Sequence, residues 1–219
     1  MAENRASKET KHGAKWFLFS LTALCLAGVS IWFGYVQLFT KGLEHLPSKL
    51  CEGAVERDLV VQALPSARSA AEGAKRQNSG DDFTFYCHVD TSGDSSIWSE
   101  ARVRPVSEAE WIASYRGSGA NNGIIRSSAD DIQAVAQLDT EQAEVYVPCT
   151  PPAVPSYNSS EDYAVITRVE AAGEVKATGT ALRQTLTDIA YQLAKHAYKL
   201  AECQGTHDFP QELPRYGDR

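Results

Sequence analysis

The sequence predicts an α+β fold: an antiparallel sheet with helices packed on one face, preceded by one transmembrane helix. Three observations carry this reading. An uncharged apolar run fills residues 16–39. Beyond it the hydropathy period passes from helical to alternating and back. Four of the five cysteines also lie beyond the run.

Residues 1–15 form a polar, basic tail without periodicity, read as cytoplasmic. The run WFLFSLTALCLAGVSIWFGYVQLF follows, with Gln37 as its one strongly polar side chain. As a helix it would be about 36 Å long, enough to cross a hydrocarbon core of roughly 30 Å. Trp16, Trp32 and Tyr35 suit the aromatic belts at the interfaces. A cleaved leader has an apolar core of only about 7–15 residues before a small-residue site, whereas this run ends in Phe33, Tyr35 and Phe39. Leu24 before Cys25 does not suit a lipoprotein anchor.

Residues 41–204 are read as an extracytoplasmic α+β domain and 205–219 as an exposed C-terminal tail. After a short link with Pro47, the apolar stripe Cys51, Val55, Leu59, Ala63 predicts a helix from Cys51 to about Leu64, stopped by Pro65. Residues 66–82, rich in Ser, Ala, Gly and charge, read as a loop. Phe83, Phe85, Cys87 and Val89 then alternate with polar residues, which predicts a half-buried strand. DTSGDSS at 90–96 is turn chemistry. Ile97, Ser99, Ala101 and Val103 continue as the second arm of a hairpin, ending at Pro105. Ser107 and Glu110 form a capping box for a short helix carrying Trp111, Ile112 and Tyr115. GSGANNG at 117–123 suggests a division into two lobes.

In the second half, Val145, Val147 and Cys149 mark one strand, and Tyr163, Val165, Thr167 and Val169 another. From about Thr180 to Cys203, Leu182, Leu186, Ile189, Leu193, Ala197 and Leu200 lie on one helical face.

Cys25 sits within the apolar run, whereas Cys51, Cys87, Cys149 and Cys203 all lie beyond it. An even number in an exported domain reads as two disulfides made in an oxidising compartment. Cys51 and Cys203 belong to helical apolar stripes, and Cys87 and Cys149 to the apolar faces of strands. Helices packed on a sheet disfavour a Cys51–Cys203 bridge. Of the two remaining connectivities, Cys51–Cys87 with Cys149–Cys203 joins chain neighbours and is favoured.

Charge sets the orientation. Arg5, Lys8, Lys11 and Lys15 precede the run, and only Lys41 and Lys49 follow it closely. The N-terminus is therefore expected inside and the C-terminal domain outside, in a single-pass arrangement at the cell membrane. Residues 41–219 hold 17 basic and 26 acidic side chains, a net −9, which argues against a nucleic-acid partner.

Motifs for catalysis are not found: there is no P-loop, G-x-G-x-x-G, H-E-x-x-H, G-x-S-x-G or C-x-x-C. His45, His88, His196 and His207 lack paired metal-ligand spacing, so neither metal nor cofactor is indicated. His88, on the polar face of its strand beside Tyr86, is the best placed of them. Asp81-Asp82 and Asp130-Asp131 read as turn residues, and Asn158-Ser159-Ser160 as a chance sequon.

The basic tail, single span, KLCEGAVERDLVVQALP, FYCHV, EVYVPC and an Ala-rich helix closing on AEC together resemble single-pass membrane proteins of actinobacteria. The outer domain resembles, more loosely, their cysteine-stapled lipoprotein and kinase-sensor domains. The resemblance implies an envelope location and two bridges, and no catalytic residue. The expected function is a membrane-anchored extracytoplasmic binding or sensing module, non-catalytic, with the bilayer and an envelope protein or small ligand as partners. The alternatives are a hydrolase-like envelope enzyme with an unmarked site, or a purely structural protein.

Overall fold

The computed structural model describes residue 16 and residues 19–35, 41–117, 123–152, 161–205 and 207–217. The fold is α+β with an antiparallel sheet. Helix α1 covers residues 19–35, and its apolar side chains, among them Leu24, Ile31 and Phe33, are exposed on all sides. Among the described residues no helix is long and apolar enough to cross a membrane. Residues 17, 18 and 36–39 of the expected span, and the whole basic tail, lie outside the described residues.

A small hairpin, β1 (Lys49–Leu50) and β2 (Val55–Glu56), leads into helix α2 (Arg57–Ala63). Three strands then run as a meander: β3 (Ala70–Gln77), β4 (Thr84–Thr91) and β5 (Ser96–Pro105). Helix α3 (Glu108–Gly117) connects to a second meander, β6 (Ile124–Ala129), β7 (Ile132–Gln137), β8 (Gln142–Pro148) and β9 (Tyr163–Ala172), and helix α4 (Gly179–Leu200) follows. The meanders join edge to edge through β5 and β9, giving one seven-stranded sheet of order β3-β4-β5-β9-β8-β7-β6. The division into two lobes is thereby corrected, although residues 118–122 of the expected divider lie outside those described.

The alternation in β4 and β5 predicts which face is buried. Phe83, Phe85, Cys87, Val89, Ile97, Ser99, Ala101 and Val103 are all buried. They meet Val145, Val147, Val165 and Val169 from the second meander, and Leu182, Leu186, Ile189 and Leu193 of α4 lie over them. α2 packs on α4 at the same face.

Four expectations are corrected. Helices do not share one face, because α3 lies on the other: Trp111 and Ile112 pack on Val135, Tyr146, Ala164 and Ile166. β8 and β9 are apolar on both faces at this point, and that second apolar patch needs its own cover. Cys51 does not open a helix. Cys51, Glu52 and Gly53 have φ of 56°, 59° and 84°, a left-handed turn that no α-helix can contain. Val55 instead pairs with Leu50 across the hairpin.

Residues 70–77 of the expected loop form β3, an edge strand paired to β4 over its whole length. The residues 205–219 are not a free tail. Leu213 and Tyr216 are buried, the Tyr191 hydroxyl donates to the Pro210 carbonyl at 2.6 Å, and Tyr216 N–H donates to Gln184 Oε1 at 3.0 Å. The outer side of α4 carries polar and aromatic groups that this segment satisfies and covers.

Both favoured disulfides are present. Cys51–Cys87 spans 36 residues and ties the turn of the first hairpin to β4, so it joins a turn rather than a helix to the sheet. Cys149–Cys203 spans 54 residues and ties the end of β8 to the chain just beyond α4. Gln204 N–H donates to the Thr150 carbonyl beside it at 2.7 Å. Opening this second loop by Cys203→Ser should cost about 4 kcal/mol in the chain-entropy account. Ile189→Ala, in the middle of the buried face, should cost about 2–5 kcal/mol. Chemical denaturation with and without reductant separates them. The bridge mutant should differ from wild type only under oxidising conditions, and the cavity mutant under both; equal losses for the bridge mutant in both would refute this role for Cys203.

Candidate functional site

Antiparallel register lines up the residues on the α3 side of the sheet in rows. One row runs Lys75, Tyr86, Glu100, Arg168 and Glu144 across β3, β4, β5, β9 and β8. The row beside it runs Gly73, His88, Trp98, Glu170 and Gln142 over the same strands. Directly opposed side chains on one face stand close enough to interact, so each row brings its neighbours within reach of one another.

Glu144 anchors the first row. Only 4 % of it is exposed, and a carboxylate so placed needs donors. Arg168 Nε donates to it at 2.5 Å, Trp111 Nε1 at 3.1 Å and Gln142 Nε2 at 3.1 Å. Trp111 arrives on α3, which starts where Ser107 and Glu110 cap each other: Ser107 N–H donates to Glu110 at 3.0 Å and Glu110 N–H to Ser107 Oγ at 3.3 Å. The Ser107 amide and hydroxyl hold the Glu110 carboxyl below the usual range. Tyr115 lies edge-on to Trp111 at 5.6 Å; burial, and then the charge of Glu144, push its phenol well up. α3 is thus fastened to the sheet through one buried acid.

A cleft of about 240 Å³ opens beside this anchor, with Glu144 and Ile166 among its lining and Glu100, Arg102, Arg104, Ser114 and Arg168 around it. Arg102 pairs with Glu100. The Glu100 carboxylate, with burial adding to it, raises the phenol of Tyr86 above its usual range. Arg168, Arg102 and Arg104 each keep part of the side chain in solvent, so N–H groups remain for another acceptor.

The second row is aromatic. Trp98 is 55 % exposed. Its ring stacks on His88 with centroids 5.4 Å apart and planes 22° from parallel. His88 in turn lies across β3 at Gly73, where a Cβ would stand 2.4 Å from the imidazole Cε1. Gly73 therefore makes the space that lets His88 lie flat. Asp90 is 3.8 Å from His88 Nε2.

Among the described residues beyond α1, Trp98 and Leu138 are the large apolar side chains that remain exposed. Trp98 therefore stands open on the sheet face, with the polar His88 and Asp90 beside it.

Of the residues singled out in the sequence, the four cysteines are bridged, and His88 lies at this face. The other described histidines are dispersed. His45 is in the turn Leu43–His45, His196 packs on Phe85, and His207 pairs with Asp131 at 3.0 Å. Asp81-Asp82 and Asp130-Asp131 are at turns, Asp130 with φ of 53°, while Asn158-Ser159-Ser160 lies outside the described residues. No group of three or more His, Cys, Asp or Glu able to hold a metal occurs among the described residues. Sequence reading missed Trp98, Glu144 and Arg168. Trp98 had a signal: it falls between Ile97 and Ser99, at the polar parity of its strand.

The arrangement places a π surface beside guanidinium donors. Glu144→Ala would leave Trp111 Nε1 and Arg168 without their acceptor and should cost about 1–3 kcal/mol. Trp111 fluorescence should report loosening of α3 in that variant, with the sheet intact by circular dichroism. An unchanged melting temperature would remove Glu144 from its anchoring role. No family model, curated protein or solved structure matches the chain.

Proposed function

We propose that this protein is a membrane-anchored binding module of the cell envelope, whose extracytoplasmic domain takes its ligand on the open face around Trp98. The observation that carries it is the exposed Trp98–His88 stack on a sheet whose opposite face is sealed. Three arginines at the adjoining cleft add donors for an acidic or carbonyl-bearing partner group. Stacking contributes area, and the arginines contribute orientation.

The anchoring half of the proposal rests on residues 16–39. A helix that is apolar all round must be covered, by protein or by lipid. α1 is exposed all round, and the run continues in sequence to Phe39. Basic residues flank its N-terminal side, and the two disulfides suit an oxidising compartment outside. The layout's resemblance to actinobacterial envelope proteins points the same way.

Two measurements test the two halves. Protease added to intact bacterial spheroplasts should destroy a C-terminal epitope and spare an N-terminal one; a protected C-terminus would reverse the topology. For the ligand face, a photo-crosslinking residue in place of Trp98 in the full chain, irradiated in native membranes, should give an adduct. Excess wild-type chain should compete it away, and the Trp98→Ala chain should not. Equal competition by both would move the ligand off this face.

A further inference from the structure

On the opposite side of the sheet, between the β1–β2 hairpin and α4, lies a second pocket of about 290 Å³. Lys49, Lys195 and Lys199 line it, with Glu56 as its one acidic side chain. Lys195 and Lys199 are one helical turn apart on α4, where like charges repel. Lys49 faces Glu56 across the hairpin, but among the described residues none of the three lysines has a carboxylate within ion-pair distance. The nearby Glu52 is held by Arg76 at 3.4 Å.

Burial, and then the Lys199 charge, lower the Lys195 ammonium from its usual range, and its Nζ rests over the Tyr191 ring at 4.4 Å. His196 shares the wall, but burial first of all lowers its pKa, and its Nε2 is enclosed. The positive charge of the pocket is therefore that of the lysines. Three lysines thus line one pocket of a domain whose net charge over residues 41–219 is −9. Their mutual repulsion is relieved when an anion sits among them.

We infer that Lys49, Lys195 and Lys199 form a binding site for a phosphate or phosphodiester group. Ammoniums act as point charges for phosphate oxygens, and lysines that line one pocket from a hairpin and a helix can approach a tetrahedral anion from two sides. The pocket has room for the phosphate and a short substituent. Two sources have this chemistry: a soluble phosphate ester, or the headgroup of an anionic lipid. Lys49 stands ten residues after Phe39, the end of the apolar run, so the lipid source rests on the membrane-anchored reading. The soluble source does not, and neither depends on the Trp98 face.

The test uses the full chain, 15N-labelled at lysine, in nonionic micelles at constant ionic strength. Inorganic phosphate is titrated in one arm, and phosphatidylglycerol is mixed into the micelles in the other. The signals of Lys49, Lys195 and Lys199 should move together and saturate in at least one arm. Saturation by phosphate alone assigns a soluble ester, and saturation only by the lipid assigns a headgroup. Replacing all three lysines by Gln should weaken binding by about tenfold or more, while Lys75→Gln on the other face should leave it unchanged. Absence of saturation in both arms overturns the site, as does an equal loss in Lys75→Gln. If the triple variant does not fold, the wild-type titration still decides.

Discussion

The pairing of β5 with β9 is the constraint from which the rest of the structure follows. Ten residue pairs, from Ser96–Ala172 to Pro105–Tyr163, join two meanders that lie far apart in sequence. Within each meander the strands are joined by local connections, but each would leave a long open edge at this line. Joining them removes both edges and produces a continuous apolar surface wide enough for the length of α4. Register is decisive, because a slip by one residue would turn every β5 side chain to the opposite face. In the observed register Ala101 and Val103 meet Thr167 and Val165 under α4. The same register places Glu100 against Arg168 on the other side.

From that pairing the two faces acquire different chemistry. The α4 face is closed by apolar burial, with both bridges set at its margins. Cys51–Cys87 holds the first hairpin over β3, where Cys51 N–H also donates to Glu72 at 2.9 Å. Cys149–Cys203 holds the far end of α4. The other face is held more sparingly. α3 covers only the patch around Tyr146 and Ile166, and its link to the sheet is polar, through Glu144. A buried acid with three donors is a costly way to hold a helix, but it orients Arg168 and Trp111 and leaves the β3–β4–β5 portion of the face to solvent. The fold thus combines a sealed side that supplies stability with a side that leaves aromatic and charged groups in solvent.

How much of this was legible in the sequence depended on how strongly each element declares itself. β4, β5 and α4 follow strict apolar periods, and the capping box at Ser107 and Glu110 marks the start of α3 with no other information. β3 is the opposite case. AAEGAKRQ has no β-branched or aromatic residue, and it becomes a strand only because β4 offers a partner edge. Its charges suit an edge, and Gly73 reads as a breaker until the His88 ring is seen above it. The first turn misled because an apolar residue every four positions fits a hairpin with a tight turn as well as a helix. The C-terminal segment, with Phe209, Leu213 and Tyr216 at no regular spacing, is positioned by α4 alone. Of the candidate site, the positions of His88 and Trp98 were readable from strand parity, whereas their stacking needed the register of β4 on β5. The Glu144 anchor was not readable, since a single acid within a strand gives no sign that a helix will bring it a tryptophan.

One face of the sheet is sealed and the other is left open at Trp98. Oxidative footprinting of the full chain, resolved residue by residue by mass spectrometry, tests this directly, because Trp98 is 55 % exposed and Trp111 only 5 %. Hydroxyl radicals should oxidise Trp98 many times faster than Trp111, and reduction of the disulfides under native conditions should leave this order unchanged. Equal protection of the two tryptophans would mean that Trp98 is covered and that this face is not open.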